Sequence, residues 1–190
     1  GGGGGGRTRK RNSGRRGSSK SSKGYTGETV TINLECSLED LYHGRVKNMK
    51  VKDKFQMGYQ QVLLEKVYRV DIVAGYKKGT KIKFPATQDF PKAVTFVIKE
   101  KPHKYFERQK NELHWTCKLT KKQIDKGVLI RIPLLSGSML TLDSKEHHIS
   151  YGTRLSYPGM GMPISSNSRG GGGPSHGDLV IRFEVVRSKK

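Results

Sequence analysis

Residues 32–51 read INLECSLEDLYHGRVKNMKV, and residues 115–134 read WTCKLTKKQIDKGVLIRIPL. Laid over each other, Ser37 meets Thr120, Leu41 meets Ile124, Gly44 meets Gly127 and Met49 meets Ile132. Ser37 is placed to cap a short helix, with an acid at the third position after it, and Gly44 to end it; Thr120 to Gly127 repeats the arrangement. Each copy then carries Gly-Thr, a strand-like run and Pro: Gly79-Thr80-Lys81-Ile82-Lys83-Phe84-Pro85 and Gly152-Thr153-Arg154-Leu155-Ser156-Tyr157-Pro158. Each closes on a strand-like run, Val94–Ile98 and Leu179–Phe183. A repeat of this length predicts two copies of one β-rich unit and favours a binding scaffold over a single catalytic core.

Outward from the repeat, composition sets the bounds. The 190 residues can hold two small domains, and a hydrophobic fraction of 33% suits thin sandwiches whose strands bury one face. No apolar run approaches the length of a membrane span, and the Gly/Arg/Lys-rich start does not read as a secretory signal. Cys36 and Cys117 fall at near-equivalent places in the two copies, and both are expected to be buried and reduced. The formal net charge is +21. Residues 1–27 contribute eight Lys/Arg and no acid, so the rest of the chain is basic as well. Such a surface suits acidic partners, nucleic acid among them.

Residues 1–27 hold ten glycines and little that could be buried, and they read as a flexible Gly/Arg/Ser/Lys-rich tail. The expected first unit covers 28–104. Its strands fall at Glu28–Leu34, Arg45–Lys52, Gln60–Val73 (bent around Glu65-Lys66), Lys81–Phe84 and Ala93–Glu100. The second unit covers 105–187, with strands at Leu113–Leu119, Val128–Pro133, Met139–Leu142 and Asp178–Val186, and residues 188–190 end the chain. Ser165–Gly177 reads as a mobile loop around a second glycine run. The fold class expected is mostly β: two tandem, similar β-sandwich-like units, each with one short helix, behind a disordered basic tail.

No catalytic constellation emerges. HExxH, GxSxG and Walker motifs are absent, and Gly159-x-Gly161 cannot open a nucleotide-binding helix because Pro163 follows. Without a CxxC there is no cysteine zinc site, and His147-His148 on a strand would point to opposite faces. No enzyme, metal or cofactor is expected.

The motifs SLEDLYHG (37–44), Gly79-Thr80-Lys81-Ile82, FVIKEKPHKYFERQKNELHW (96–115), PGMGMP (158–163) and GDLVIRFEV (177–185) occur in one order. In that order they resemble the C-terminal client-binding region of DnaJ-type co-chaperones, of the zinc-free Sis/DnaJB class. The resemblance spans roughly residues 28–187. It implies a shallow apolar groove in the first unit, lined by Ile32, Leu34, Met49, Val51 and Phe96. Read without the family, these five are ordinary sandwich core. It also implies that Lys47 and Lys66 receive the acidic Glu-Glu-Val-Asp tail of a DnaK-type chaperone; as bare sequence they are solvated charges. Binding would proceed by addition of a client strand to an open sheet edge.

The partners implied are a DnaK-type chaperone, unfolded client polypeptides and, in a longer chain, a second copy. Nucleic acid is expected only through the tail, a membrane not at all, and the location is expected to be cytoplasmic. A His-Pro-Asp J-domain, a Gly/Phe linker and the dimerising helix after the last strand are not found within these 190 residues, so ATPase stimulation is not expected of this stretch. A second reading is a non-catalytic scaffold subunit of a ribonucleoprotein or cytoskeletal assembly, docked through the basic tail.

Overall fold

A computed structural model describes residues 1–2, 27–165 and 175–187. The expected basic tail falls almost wholly outside these residues, as do the second glycine run and residues 188–190. The first copy comprises β1 (Thr29–Cys36), α1 (Leu38–His43), β2 (Arg45–Met57), β3 (Gln60–Ile72), β4 (Lys81–Phe84) and β5 (Ala93–Glu100). A short β6 (Glu107–Gln109) leads into β7 (Glu112–Thr120), α2 (Lys121–Lys126), β8 (Leu129–Pro133), β9 (Met139–Asp143), β10 (Arg154–Tyr157) and β11 (Leu179–Val186). The protein is mostly β, built from two similar units in tandem.

The repeat in sequence is a repeat in topology. In the first unit β1 runs parallel to β5 and β4 antiparallel to it; in the second, β7 runs parallel to β11 and β10 antiparallel to it. A hairpin accompanies each sheet, β2–β3 in one and β8–β9 in the other. The registers align the copies. Ile32 and Ile82 flank Phe96, as Trp115 and Leu155 flank Ile181, so Ile181 is the counterpart of Phe96. Gly79 N–H donates to the Ile98 carbonyl at 2.8 Å, and Gly152 N–H to that of Phe183 at 3.1 Å.

Alternation along the strands decides what is buried. In the first unit Leu34, Cys36, Val51, Phe55 and Phe96 point inward, and the Tyr68 ring stands 5.0 Å from Phe84, 6.1 Å from Phe90 and 5.9 Å from Phe96. Leu113, Cys117, Ile132, Ile181 and Phe183 fill the second. Both cysteines are buried and unbridged. The two helices are capped as the repeat requires. Ser37 Oγ accepts the Asp40 N–H at 3.1 Å and Thr120 Oγ1 accepts that of Gln123 at 3.3 Å, while Asp40 and Gln123 return bonds to the cap N–H groups.

Four details differ from the sequence reading. β2 continues to Met57, five residues past the expected end, because its next inward positions are Asp53 and Phe55. Asp53 breaks the apolar alternation but is held by Lys92 Nζ at 2.8 Å. β3 runs unbroken through Glu65-Lys66 because inward-facing Lys66 finds partners of its own. β6 adds an edge strand that the sequence reading does not include. His147-His148 lies in a turn, with His148 at φ 47°, and not on a strand.

The two units meet along several hydrogen bonds. His43 Nε2 lies 2.8 Å from the Leu135 carbonyl. Arg108 of β6, its side chain 2% exposed, donates to the Tyr76 carbonyl at 2.7 Å and to Glu100 Oε1 at 3.0 Å. Gly75 sits here at φ 90°; a Cβ would come within 2.7 Å of the Pro163 carbonyl, so both backbone conformation and space call for glycine. The described ends of the expected mobile loop are pinned: Ile164 N–H donates to the Ser175 carbonyl and Gly177 N–H to that of Met162, each at 2.9 Å.

Candidate peptide-binding site

Among the described residues β1 pairs with β5 alone and β2 with β3 alone, so each leaves one edge open, and α1 joins the two strands. Between these edges lies the inward face expected to form the groove. Alternation puts Ile32 and Leu34 on that face from β1, Met49 and Val51 from β2, and Phe96 from β5. The five are not equally accessible. Ile32 and Met49 are half-buried at the rim. Leu34, Val51 and Phe96 are 1%, 3% and 0% exposed, so they form the floor and belong to the core cluster. For these three the core reading describes their position; a peptide could touch Ile32 and Met49 directly.

The two lysines are already partnered. Lys47 Nζ contacts Asp40 Oδ2 at 2.8 Å and donates to the Glu35 carbonyl of β1 at 2.7 Å. Asp40 is itself 9% exposed and also holds Arg45 at 3.1 Å. Desolvation pushes the Asp40 carboxyl upward, but hydrogen bonds from Lys47, the Ser37 N–H and Arg45 outweigh it and hold the group below the usual aspartate range. Lys66 donates to Thr87 Oγ1 at 2.7 Å and Asp89 Oδ1 at 3.0 Å, and its ammonium stands 5.6 Å from the Tyr68 ring centre. Hydrogen bonds from Thr87 and Lys66 lower the Asp89 carboxyl to about 2. The loop Pro85–Asp89 thus supplies both partners of Lys66.

Sequence reasoning missed Tyr68. Its side chain lies opposite Met49 in the hairpin register, and its hydroxyl is buried with no hydrogen-bond partner. A buried phenol left unpaired is costly. Its alternation in β3 signalled an inward side chain, but nothing in the sequence showed that the hydroxyl would be orphaned.

The second unit does not repeat the site. Trp115 stands where Ile32 does, and Ile132 replaces Met49 but is 1% exposed. The repeat places Gln123 and Ile130 where the first copy has Asp40 and Lys47, and the shorter hairpin register sets Leu140 against Ile132, in the place of Tyr68. The β8–β9 strands are five residues long against thirteen in β2 and β3. Among the described residues no group of three or more His, Cys, Asp or Glu could hold a metal ion, and no helix is long and apolar enough to cross a membrane.

Comparison with known proteins gives a consistent picture. The family described as the DnaJ C terminal domain matches residues 30–187. The chain is 31% identical over 162 residues to "DnaJ protein homolog 1" of Drosophila melanogaster, covering 82% of this chain and 47% of that protein. It is 32% identical over 163 residues to human "DnaJ homolog subfamily B member 5", covering 82% and 45%. It is 32% identical over 165 residues to "Protein SIS1" of Saccharomyces cerevisiae, covering 83% and 44%. The chain therefore spans about half the length of the curated relatives it matches.

Proposed function

The chain belongs to the DnaJ C-terminal domain family, and from that we propose that it is the client-binding module of a co-chaperone, capturing extended apolar segments of non-native polypeptide. The observation that carries this is the pair of open strand edges flanking half-buried Ile32 and Met49. A client segment adds its main chain to the open edge of β2; the β1 edge is less free, because Lys47 already occupies the Glu35 carbonyl. Its apolar side chains rest on Ile32 and Met49 above the floor of Leu34, Val51 and Phe96. The module carries out no chemistry of its own.

The acidic tail of a DnaK-type chaperone is the second ligand. Of the two lysines, Lys66 is the more available, since Asp89 is 69% exposed and readily displaced, whereas Lys47 is tied to a buried carboxylate. In this reading residues 28–104 form the binder and 105–187 position it, in a cytoplasmic protein that works beside its partner chaperone.

A titration tests the proposal. Met49→Asp puts an unpaired charge on the rim and is expected to weaken binding of an extended apolar peptide at least tenfold while circular dichroism stays unchanged. Equal affinity in the two proteins would overturn the groove reading. The neutralised state of both lysines favours one competing reading, a scaffold subunit of a large ribonucleoprotein or cytoskeletal assembly docked through the basic segment. Stoichiometric co-purification with such an assembly, without affinity for a Glu-Glu-Val-Asp peptide, would select it.

A further inference from the structure

Charges in the first unit are segregated. On the hairpin side most lysines are matched to acids, Lys47 to Asp40, Lys50 and Lys52 to Glu65, Lys92 to Asp53 and Glu28, and Lys66 to Asp89, while Lys54 has no ion pair among the described residues. The solvent face of the β1–β5–β4 sheet, turned away from the groove, is different. Lys81 and Lys83 of β4 border a cleft of about 570 Å³ that Thr29, Thr31 and Thr95 also line. Lys78, Lys99 and Lys101 border a second cleft of about 630 Å³, with Glu107 and the Arg108–Glu100 pair at its far wall. None of these five lysines forms an ion pair among the described residues. Lys81 faces Val97 across the strands, so Lys99 is its diagonal neighbour and the two clefts join into one surface. The acid within the sheet face is Glu35, directly opposite Lys99.

From this we infer that the solvent face of the first sheet binds the phosphate backbone of single-stranded RNA. Lysines at alternate strand positions stand about 7 Å apart and present a row of point charges. Threonine hydroxyls between them are suited to phosphate oxygens. Glu28, the acid nearest the start of β1, is held by Lys92 and does not offset them. In sequence, the segment with eight Lys/Arg and no acid leads directly into β1, whose Thr29 and Thr31 line the cleft. Five lysines without ion pairs along two joined clefts suit a polymeric anion better than a short acidic peptide. Of the rings that line the two clefts, Phe84 and His103 are half-buried and Phe106 is buried, and none is exposed to stack a base, so recognition is of the backbone and independent of sequence.

The test uses the full chain and a labelled oligouridylate, followed by anisotropy across a salt series. K81E/K83E/K99E is expected to weaken binding at least tenfold and to lower the slope of log affinity against log salt by about 2, the loss of three phosphate contacts. K121E/K122E/K126E on α2, an equal change of charge, is expected to stay within about threefold of the parent, and K81Q/K83Q/K99Q repeats the test without charge reversal. An unchanged affinity and slope in both the Glu and Gln face variants would overturn the inference. So would an equal loss in the α2 variant, or binding of an oligo-glutamate peptide without binding of RNA. Met49→Asp should leave RNA binding intact, which separates failure here from failure of the groove.

Discussion

At Asp40 three donors converge on one carboxylate: the Ser37 N–H at 3.3 Å, Lys47 Nζ at 2.8 Å and an Arg45 guanidinium nitrogen at 3.1 Å. One side chain thus closes the helix cap and ties β2 to α1. Because the folded carboxyl titrates below its unfolded value, its contribution is present above about pH 4, the usual aspartate range, and is lost as pH falls through the folded value. Asp40→Asn should therefore lower stability by about 1–3 kcal/mol at pH 6 and flatten the acid limb of a urea-midpoint profile below about pH 4. An unchanged acid limb would show that the carboxylate carries no such linkage. The sequence marked Asp40 as a cap and nothing more; that Lys47, on the strand after the helix, would fold back on it is a contact no local pattern reveals. The same limit applies to the groove. The resemblance named Ile32, Leu34, Met49, Val51 and Phe96 together, and each turns inward on its strand, but periodicity cannot distinguish a rim from a floor. Three of the five are core, and a Phe96→Asp variant would report unfolding before it reported binding.

Helices, closing strands and the short hairpin were legible because each carries its own punctuation: Ser37 and Thr120 as caps, Gly44 and Gly127 as stops, Gly137 at the β8–β9 turn. The long hairpin was not, since Asp53 and Lys66 occupy inward positions where an apolar residue was expected, and each is satisfied by a residue distant in sequence, Lys92 and Asp89. β6 was missed for its length. Its Arg108 nonetheless links the units, through the Gly75 and Tyr76 carbonyls and Glu100. Burial pushes the Arg108 guanidinium downward and the Glu100 charge opposes that shift. Removing it with Arg108→Ala strands a partly buried carboxylate and should cost about 3–5 kcal/mol in urea unfolding. Replacing both partners, R108M/E100Q, should recover much of the loss. A cost under about 1 kcal/mol for the single variant would mean the link is incidental.

Across the whole molecule, one topology occurs twice and its copies have diverged in what they can hold. The sequence made the duplication visible through paired caps and Gly-Thr runs; the parallel β1–β5 and β7–β11 pairings, between strands some sixty residues apart, were invisible to it and became clear from the registers. Those registers turn an approximate alignment into a set of equivalent positions. At these positions the first copy has a half-buried rim, a long hairpin with an open edge, two lysines and an unpartnered phenol. The second has a buried Ile132, a short hairpin, and Ile130 where Lys47 stands. Ile32 and Trp115 are the sharpest comparison, since both are half-buried, both occupy the same place in their sheets, and each belongs to a different copy. The most direct measurement is a titration of one extended apolar peptide into Ile32→Asp and Trp115→Asp, each shown to be folded by circular dichroism. Loss of binding in Ile32→Asp with parent affinity kept in Trp115→Asp is the expected result; equal loss in both, or loss in Trp115→Asp alone, would contradict a groove confined to the first copy.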